Sequence, residues 1–292
     1  MISRLLSSGG PAGSSWNQLN SPTSSICKGV SFGNNKFVIA TSAIYTYSSS
    51  LVLVGTYPIP DFFPYPIVSS FYGNGLYLVG SGNGKLVTST DTITWSTTQL
   101  TGAPYMNAFA YGNGVFIVAG TGGRMWTSPD GITWTFQTGV SSSDIKGVAY
   151  GNGLFVTVGD TGQLQTSPDG ITWTARTSAF VTVNIYAVTY ANNLFIAVGG
   201  SGIATTSMDG ITWTQVPSAL GTQVGNVTLR GIAFGDGKYI AVGDNGIIAS
   251  STDTISWVVE DGGFGASAVN GITYGNGLFL AVGADGKIAY YR

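Results

Sequence analysis

The stretch Tyr150–Thr174, YGNGLFVTVGDTGQLQTSPDGITWT, decides the fold. It opens on Gly151-Asn152-Gly153, residues that tolerate the positive φ angles of a tight β-hairpin. The run Leu154–Val158 is nearly all apolar, the pattern of a strand covered on both faces. Gly159–Gly162 turns the chain into Gln163–Ser167, and the knuckle Ser167-Pro168-Asp169-Gly170-Ile171-Thr172-Trp173 turns it again. With Lys146–Tyr150 placed in front, the unit has four strands, which we letter a to d.

Most of the chain repeats this unit. The aromatic that opens the first turn recurs at Phe32, Tyr72, Tyr111, Tyr150, Tyr190, Phe234 and Tyr274, at spacings of 39 to 44 residues. A period of about forty with four short strands is that of a propeller blade. The last copy stops at Arg292, where its knuckle should begin, and the missing piece stands at the other end. Gly10-Pro11-Ala12-Gly13-Ser14-Ser15-Trp16 aligns with the knuckle and keeps its Pro, Gly and Trp. The N-terminal segment is thus predicted to supply strand d of the last blade and so remove an open sheet edge.

The prediction is an all-β chain: one seven-bladed β-propeller domain of four-stranded blades over residues 1–292. Residues 1–9 form an N-terminal extension, and residues 10–27 hold the closing strand and its loop. Blades begin near Lys28, Val68, Asn107, Lys146, Tyr186, Arg230 and Asn270.

Composition narrows the chemistry. Charged residues make up 8% of the chain, far below the roughly 25% usual for soluble proteins, and the formal net charge is −2. That leaves no basic field to attract nucleic acid. No apolar run reaches the ~18 residues of a membrane span, so no membrane insertion is expected. The opening residues lack the apolar core of a secretory signal. The chain has no histidine and one cysteine, Cys27, which reads as a small core residue. Cofactors and metal sites are therefore not expected.

The knuckles Ser128–Trp134, Ser167–Trp173 and Ser207–Trp213 resemble the Asp-box (BNR) repeat, roughly Ser-x-Asp-x-Gly-x-Thr-Trp, shortened by one residue between Asp and Gly. Two variants, Ser89–Trp95 and Ser251–Trp257, carry Thr92 and Thr254 in place of the glycine, and the first unit has Ser48-Ser49-Ser50-Leu51-Val52-Leu53-Val54 instead. The resemblance implies a propeller and leaves function open, since such propellers include sialidases, photosystem assembly factors, lectin-like modules and phage structural proteins. The wording of these repeats looks most like propellers of phage virions and bacterial surfaces.

Asp91, Asp130, Asp169, Asp209 and Asp253 recur one per blade, so they are expected to accept backbone N–H bonds in their own turns rather than to share a metal. Trp95, Trp134, Trp173, Trp213, Trp257 and Trp16 are expected to pack between blades. A sialidase-like hydrolase would need three converging arginines and a Tyr–Glu pair. Here Arg124, Arg176 and Arg230 fall at different repeat positions, and Glu260 is the only glutamate. The chain accordingly reads as non-catalytic.

The residues four before each turn aromatic should ring one mouth of the central channel, and all of them but Val68, namely Lys28, Asn107, Lys146, Tyr186, Arg230 and Asn270, make the candidate ligand site. Phe62, Phe63 and Tyr65 join it from a proline-rich d–a loop on the same face. The expected role is a phage virion structural or adhesion propeller, such as a tail or decoration protein. It would be assembled in the host cytoplasm and exposed outside the cell. Its partners would be other virion proteins, with host-surface polysaccharide as a further candidate. The alternative is a soluble bacterial lectin.

Overall fold

The structure is a computed structural model that describes residues 15–58, 66–102, 105–138, 141–180, 182–216 and 225–292. Among these residues, twenty-eight strands form seven four-stranded antiparallel sheets. Blade 4 is typical. Its strands a to d are Ile145–Gly151, Leu154–Gly159, Leu164–Ser167 and Thr174–Ala175, paired in that order. The only helical pieces among the described residues are single 3₁₀ turns at the b–c connections, such as Asp160–Gly162.

The ring closes as predicted. The seventh sheet joins Val269–Gly275, Leu278–Gly283 and Ile288–Tyr291 to the N-terminal strand Asn17–Leu19. The register sets Asn17 opposite Tyr290 and Leu19 opposite Ile288. Strands a line the axis, each packed against the strand a of the next blade.

No blade could be stable alone, because strand b is apolar on both faces and needs a neighbour on each side. In blade 4, Phe155, Val156 and Val158 are fully buried and divide between the seams to blades 3 and 5. Each fully buried side chain of this size is worth about 1.5–3 kcal/mol relative to exposure, so these seams are the main cohesive term. The knuckle tryptophans fill them: Trp95, Trp134, Trp173, Trp213, Trp257 and Trp16 each pack against the blade before their own. Blade 1 has lost its knuckle, and Leu51, held at φ +65, packs into the blade 7–blade 1 seam in place of a tryptophan.

At the a–b turns the seams close through a second device. A Cβ on Gly112 would lie 2.0 Å from the Tyr150 ring of the next blade, so only glycine leaves room for the ring. The same approach joins Gly151 to Tyr190 and, across the closure, Gly275 to Phe32. Each turn aromatic also meets an aromatic of its own strand b, as Tyr150 meets Phe155 with centroids 4.6 Å apart.

The closing strand is only three residues long and is tied sideways. Trp16 Nε1 donates to Glu260 Oε2 of blade 6 at 2.8 Å, and its ring lies 5.7 Å from that of Tyr291. Gln18 Nε2 donates to the Gly262 carbonyl. The only glutamate of the chain thus latches the closure. A double-mutant cycle with Trp16→Phe and Glu260→Gln is expected to give a coupling of about 1 kcal/mol in urea unfolding. Trp16→Ala should cost about 2 kcal/mol through lost burial and the abandoned carboxylate. A coupling of zero would mean that the latch adds nothing to closure.

Candidate functional site

Two faces of the ring carry different chemistry. On one lie the a–b turns and the knuckles, and there the repeat is uniform. Ser128 Oγ donates to Asp130 Oδ1 at 2.9 Å and accepts the Gly131 N–H at 2.8 Å. Asp130 Oδ1 accepts the N–H groups of Ile132 and Thr133, each at 2.8 Å, and Trp134 Nε1 donates to the Gly131 carbonyl. Asp91, Asp169, Asp209 and Asp253 each accept the equivalent two amides in their own turns. Thr92 and Thr254 hold the glycine's place at φ +66 and +64. Trp95 departs from the set, since its buried Nε1 has no acceptor among the described residues.

These amides stabilise the carboxylates. The Thr133 and Ile132 N–H groups hold Asp130 at about 2, and the amides of Thr94 and Ile93 do the same for Asp91. Asp209 stands at about 2 for the same reason, and Asp169 and Asp253 are also lowered. Among the described residues no three His, Cys, Asp or Glu side chains gather as metal ligands.

The other face carries the starts of strands a and the b–c turns. There lie the positions singled out in the sequence. Val68, Asn107, Lys146, Tyr186, Arg230 and Asn270 each sit at the register shift that opens strand a, a β-bulge. A bulge leaves its residue outside the ladder and re-aims its side chain, which frees this position to vary. Lys28 stands at the same place ahead of Gly29–Gly33. Phe62, Phe63 and Tyr65 lie outside the described residues.

The six residues do not form one uniform cationic ring. Asn107 Nδ2 donates to the Ile145 carbonyl of the next blade, and Asn270 Nδ2 donates to the Cys27 carbonyl across the closure. Those two asparagines stitch blades together. Lys146 Nζ bonds Asp144 Oδ2 at 2.9 Å with Asp160 Oδ2 at 3.5 Å. Burial disfavours the Lys146 charge, but the hydrogen bond and charge of Asp144, with Asp160, outweigh it and raise the pKa. Asp144 also accepts the Gly122 N–H and is lowered, against the opposing effect of burial.

Arg230 pairs with Asp244, and its guanidinium carbon lies 6.0 Å from the centre of the Tyr186 ring. The Tyr186 hydroxyl accepts a long bond from Asn184 Nδ2, while Asn184 Oδ1 accepts the Thr161 N–H. The carboxylates Asp144, Asp160 and Asp244 and the amide of Asn184 were missed in the sequence. The signal was there: Asp160 and Asp244 follow the same Val-Gly pair, and Asp144 lies two residues before Lys146. The mouth therefore offers two paired cations, Lys28 with no carboxylate partner among the described residues, amides and one tyrosine ring. Such a lining suits a neutral, hydroxyl-rich or peptide ligand better than an anion.

The arginines are spread over the molecule. Arg124 donates to the Gly102 carbonyl, Arg176 to Thr166 Oγ1, and Arg292 lies over the Tyr290 ring. Cys27 is buried and free, and burial pushes its thiol up to about 11.

No family model matches the sequence, and no curated protein matches it. The fold is shared with solved propellers. Virginiamycin B lyase from Staphylococcus aureus superposes with a TM-score of 0.82 at 14% identity, covering 96% of this chain and 99% of that one. A catalytically inactive form of that lyase with quinupristin gives 0.81 at 12%, covering 95% and 99%. YCF48 bound to D1 peptide gives 0.75 at 16%, covering 98% and 99%. The lyases correct one expectation: a propeller of this shape over nearly its full length carries out catalysis, so the chain is not excluded from being an enzyme by its build. The missing histidine and the scattered arginines removed two known mechanisms, not the capacity of the scaffold. At these identities the likeness establishes the fold alone, and no reaction passes to this chain.

The lowered knuckle carboxylates predict where acid stability is lost. Their folded-state pKa values lie below the ordinary carboxylate value, so their contribution is complete above about pH 4 and is lost as pH falls towards 2. The thermal midpoint is expected to hold level down to about pH 4.5 and then drop. Changing Asp130, Asp169 and Asp209 together to Asn, which keeps an acceptor oxygen, should flatten that drop. An unchanged acid limb would assign acid unfolding to other groups.

Proposed function

We propose that this chain is a rigid display or docking module of a phage virion that presents its b–c and d–a face to a neighbouring virion protein or to host-surface polysaccharide. The observation that carries the reading is the division of labour between positions. Seams, knuckles and turns repeat from blade to blade, while the bulge residue at the mouth changes from lysine to valine, asparagine, tyrosine and arginine. A constant frame with one variable position per blade is what a binding face on a repeat scaffold requires. The low charge fits a part that works outside the cell, and the Asp-box resemblance points the same way. Solved propellers of this shape hold quinupristin and the D1 peptide, so ligand binding is within the reach of the scaffold.

The test is the protein inventory of purified particles, with cross-linking to name the neighbour. The chain should be present in fixed stoichiometry and cross-link through Lys28 or Lys146. Particles without it would end the virion reading. A free bacterial lectin is the second reading, favoured by the Tyr186 ring beside Arg230 and Asp244, a platform with hydrogen-bonding edges for a sugar. On that reading Tyr186→Ala weakens binding on a glycan array at least tenfold, while Asp169→Asn, on the opposite face, leaves it unchanged.

A further inference from the structure

Blade 1 departs from the others at its outer edge. Its strand d, Leu53–Pro58, has six residues, whereas the strands d of the other six blades have two to four. An outermost strand presents unpaired backbone groups, and proteins usually blunt such edges by shortness, charge or cover. This one is long and carries no charge, and only Pro58 at its far end lacks an N–H. The lost knuckle is the cause. The chain turns at Ser49–Val52 without the Asp-centred turn, and Val54 bulges between the pairs Tyr47–Leu53 and Thr46–Gly55.

The same loss opens a groove of about 430 Å³ between this edge and the knuckle of blade 2. Val54, Gly55, Thr56 and Tyr57 form one wall, and Thr92 and Ile93 form part of the other. Val54 is 56% exposed and Ile93 77% exposed, with Val52 and Leu53 alongside. Among the described residues, Lys36 is the only charged one lining the groove. Its ammonium donates to the Asp91 carbonyl at 2.7 Å and to Thr92 Oγ1 at 2.9 Å, both neutral acceptors. No carboxylate among the described residues pairs with it. Among the described residues, the groove thus combines an unpaired strand edge, an apolar lip and a cation without a carboxylate partner.

We infer that this groove is a docking site for an extended segment of a partner protein, which adds as a fifth strand to Leu53–Pro58, sets apolar side chains against Val54 and Ile93, and brings an Asp or Glu to Lys36. Backbone pairing gives such a site its affinity, and the side-chain positions give it register. The charge selects the occupant. Among the described residues, a second copy pairing through the same strand would offer Lys36 no carboxylate, because Leu53–Pro58 contains none, and would add a like charge. The site lies at the knuckle side of the rim, away from the mouth, and stands whether or not the virion reading holds.

The experiment is selection of ten-residue peptides from a random display library on the intact protein, with depletion against the double variant Lys36→Glu, Val54→Lys, whose thermal midpoint is checked first. If that variant melts early, Val54→Lys alone replaces it, since its side chain is already exposed. Selected peptides are expected to alternate apolar residues with an acid in fixed register and to lose at least tenfold in affinity to the variant. They should also lose binding when alternate backbone amides are N-methylated, which surface adhesion through side chains would not require. Peptides that bind the variant equally or tolerate N-methylation would overturn the inference. So would a library that yields nothing above the depleted background. Concentration-dependent dimers in sedimentation that Val54→Lys abolishes would give the edge to a second copy instead, and that too overturns it.

Discussion

The approach of a turn aromatic onto the glycine of the blade before it, made at five of the seven seams, is the constraint on which the ring depends. Tyr150 lies flat against Gly112, Tyr190 against Gly151, Tyr274 against Gly235 and Phe32 against Gly275. Each contact sets how near two blades may come at the a–b turns, and the tryptophan of the knuckle sets it farther out. The tyrosines of strand b add a polar tie at the same place, as when Tyr239 Oη donates to the Ala191 carbonyl at 3.0 Å. Ala191 is the one turn of this set with a methyl in the glycine's place, and Phe234 of the next blade packs beside it within the blade 5–blade 6 cluster. A contact repeated around a closed ring leaves each blade little freedom, because a shift at one seam must be taken up at the others.

Closure places the heaviest demand on the seventh blade, whose sheet is completed by a strand from the far end of the chain. Three residues of ladder give few hydrogen bonds, and their loop-closure entropy is that of the whole sequence. The latch answers this with side chains. Glu260 takes the Trp16 indole and the Ser250 hydroxyl together, so its carboxylate is shared between its own blade and the closing strand. In a chain almost without charge, a carboxylate in this position has few rival cations to pull it away.

Much of the architecture was legible because the determinants are local and repeated. The Gly151-Asn152-Gly153 turn, the apolar Leu154–Val158 run and the Ser167–Trp173 knuckle each carry their own conformation, and seven copies fix the period. The terminal segment ending at Trp16 could be placed because it kept a knuckle's residues. The mouth was legible only as a set of positions. Which cations are free depends on partners far apart in sequence, and neither the pairing of Arg230 with Asp244 nor the Asn107 bond to the Ile145 carbonyl follows from period. The reading of the chain as non-catalytic failed for a different reason. It tested familiar residue sets, and a propeller's capacity for catalysis is not bounded by them.

The blade that broke the repeat shows where a ring like this stores difference. Loss of the first knuckle removed a tryptophan from a seam, and the seam still had to be filled. Leu51 fills it, which draws the turn inward at φ +65 and leaves Val52, Leu53 and Val54 outside. With no Asp-centred turn to occupy those residues, strand d begins at Leu53, inside the lost knuckle. One substitution pattern thus settles the packing inside and the chemistry outside, because both are read from the same seven residues. In a molecule whose other seams admit little change, such exceptions are the positions free to acquire a purpose of their own.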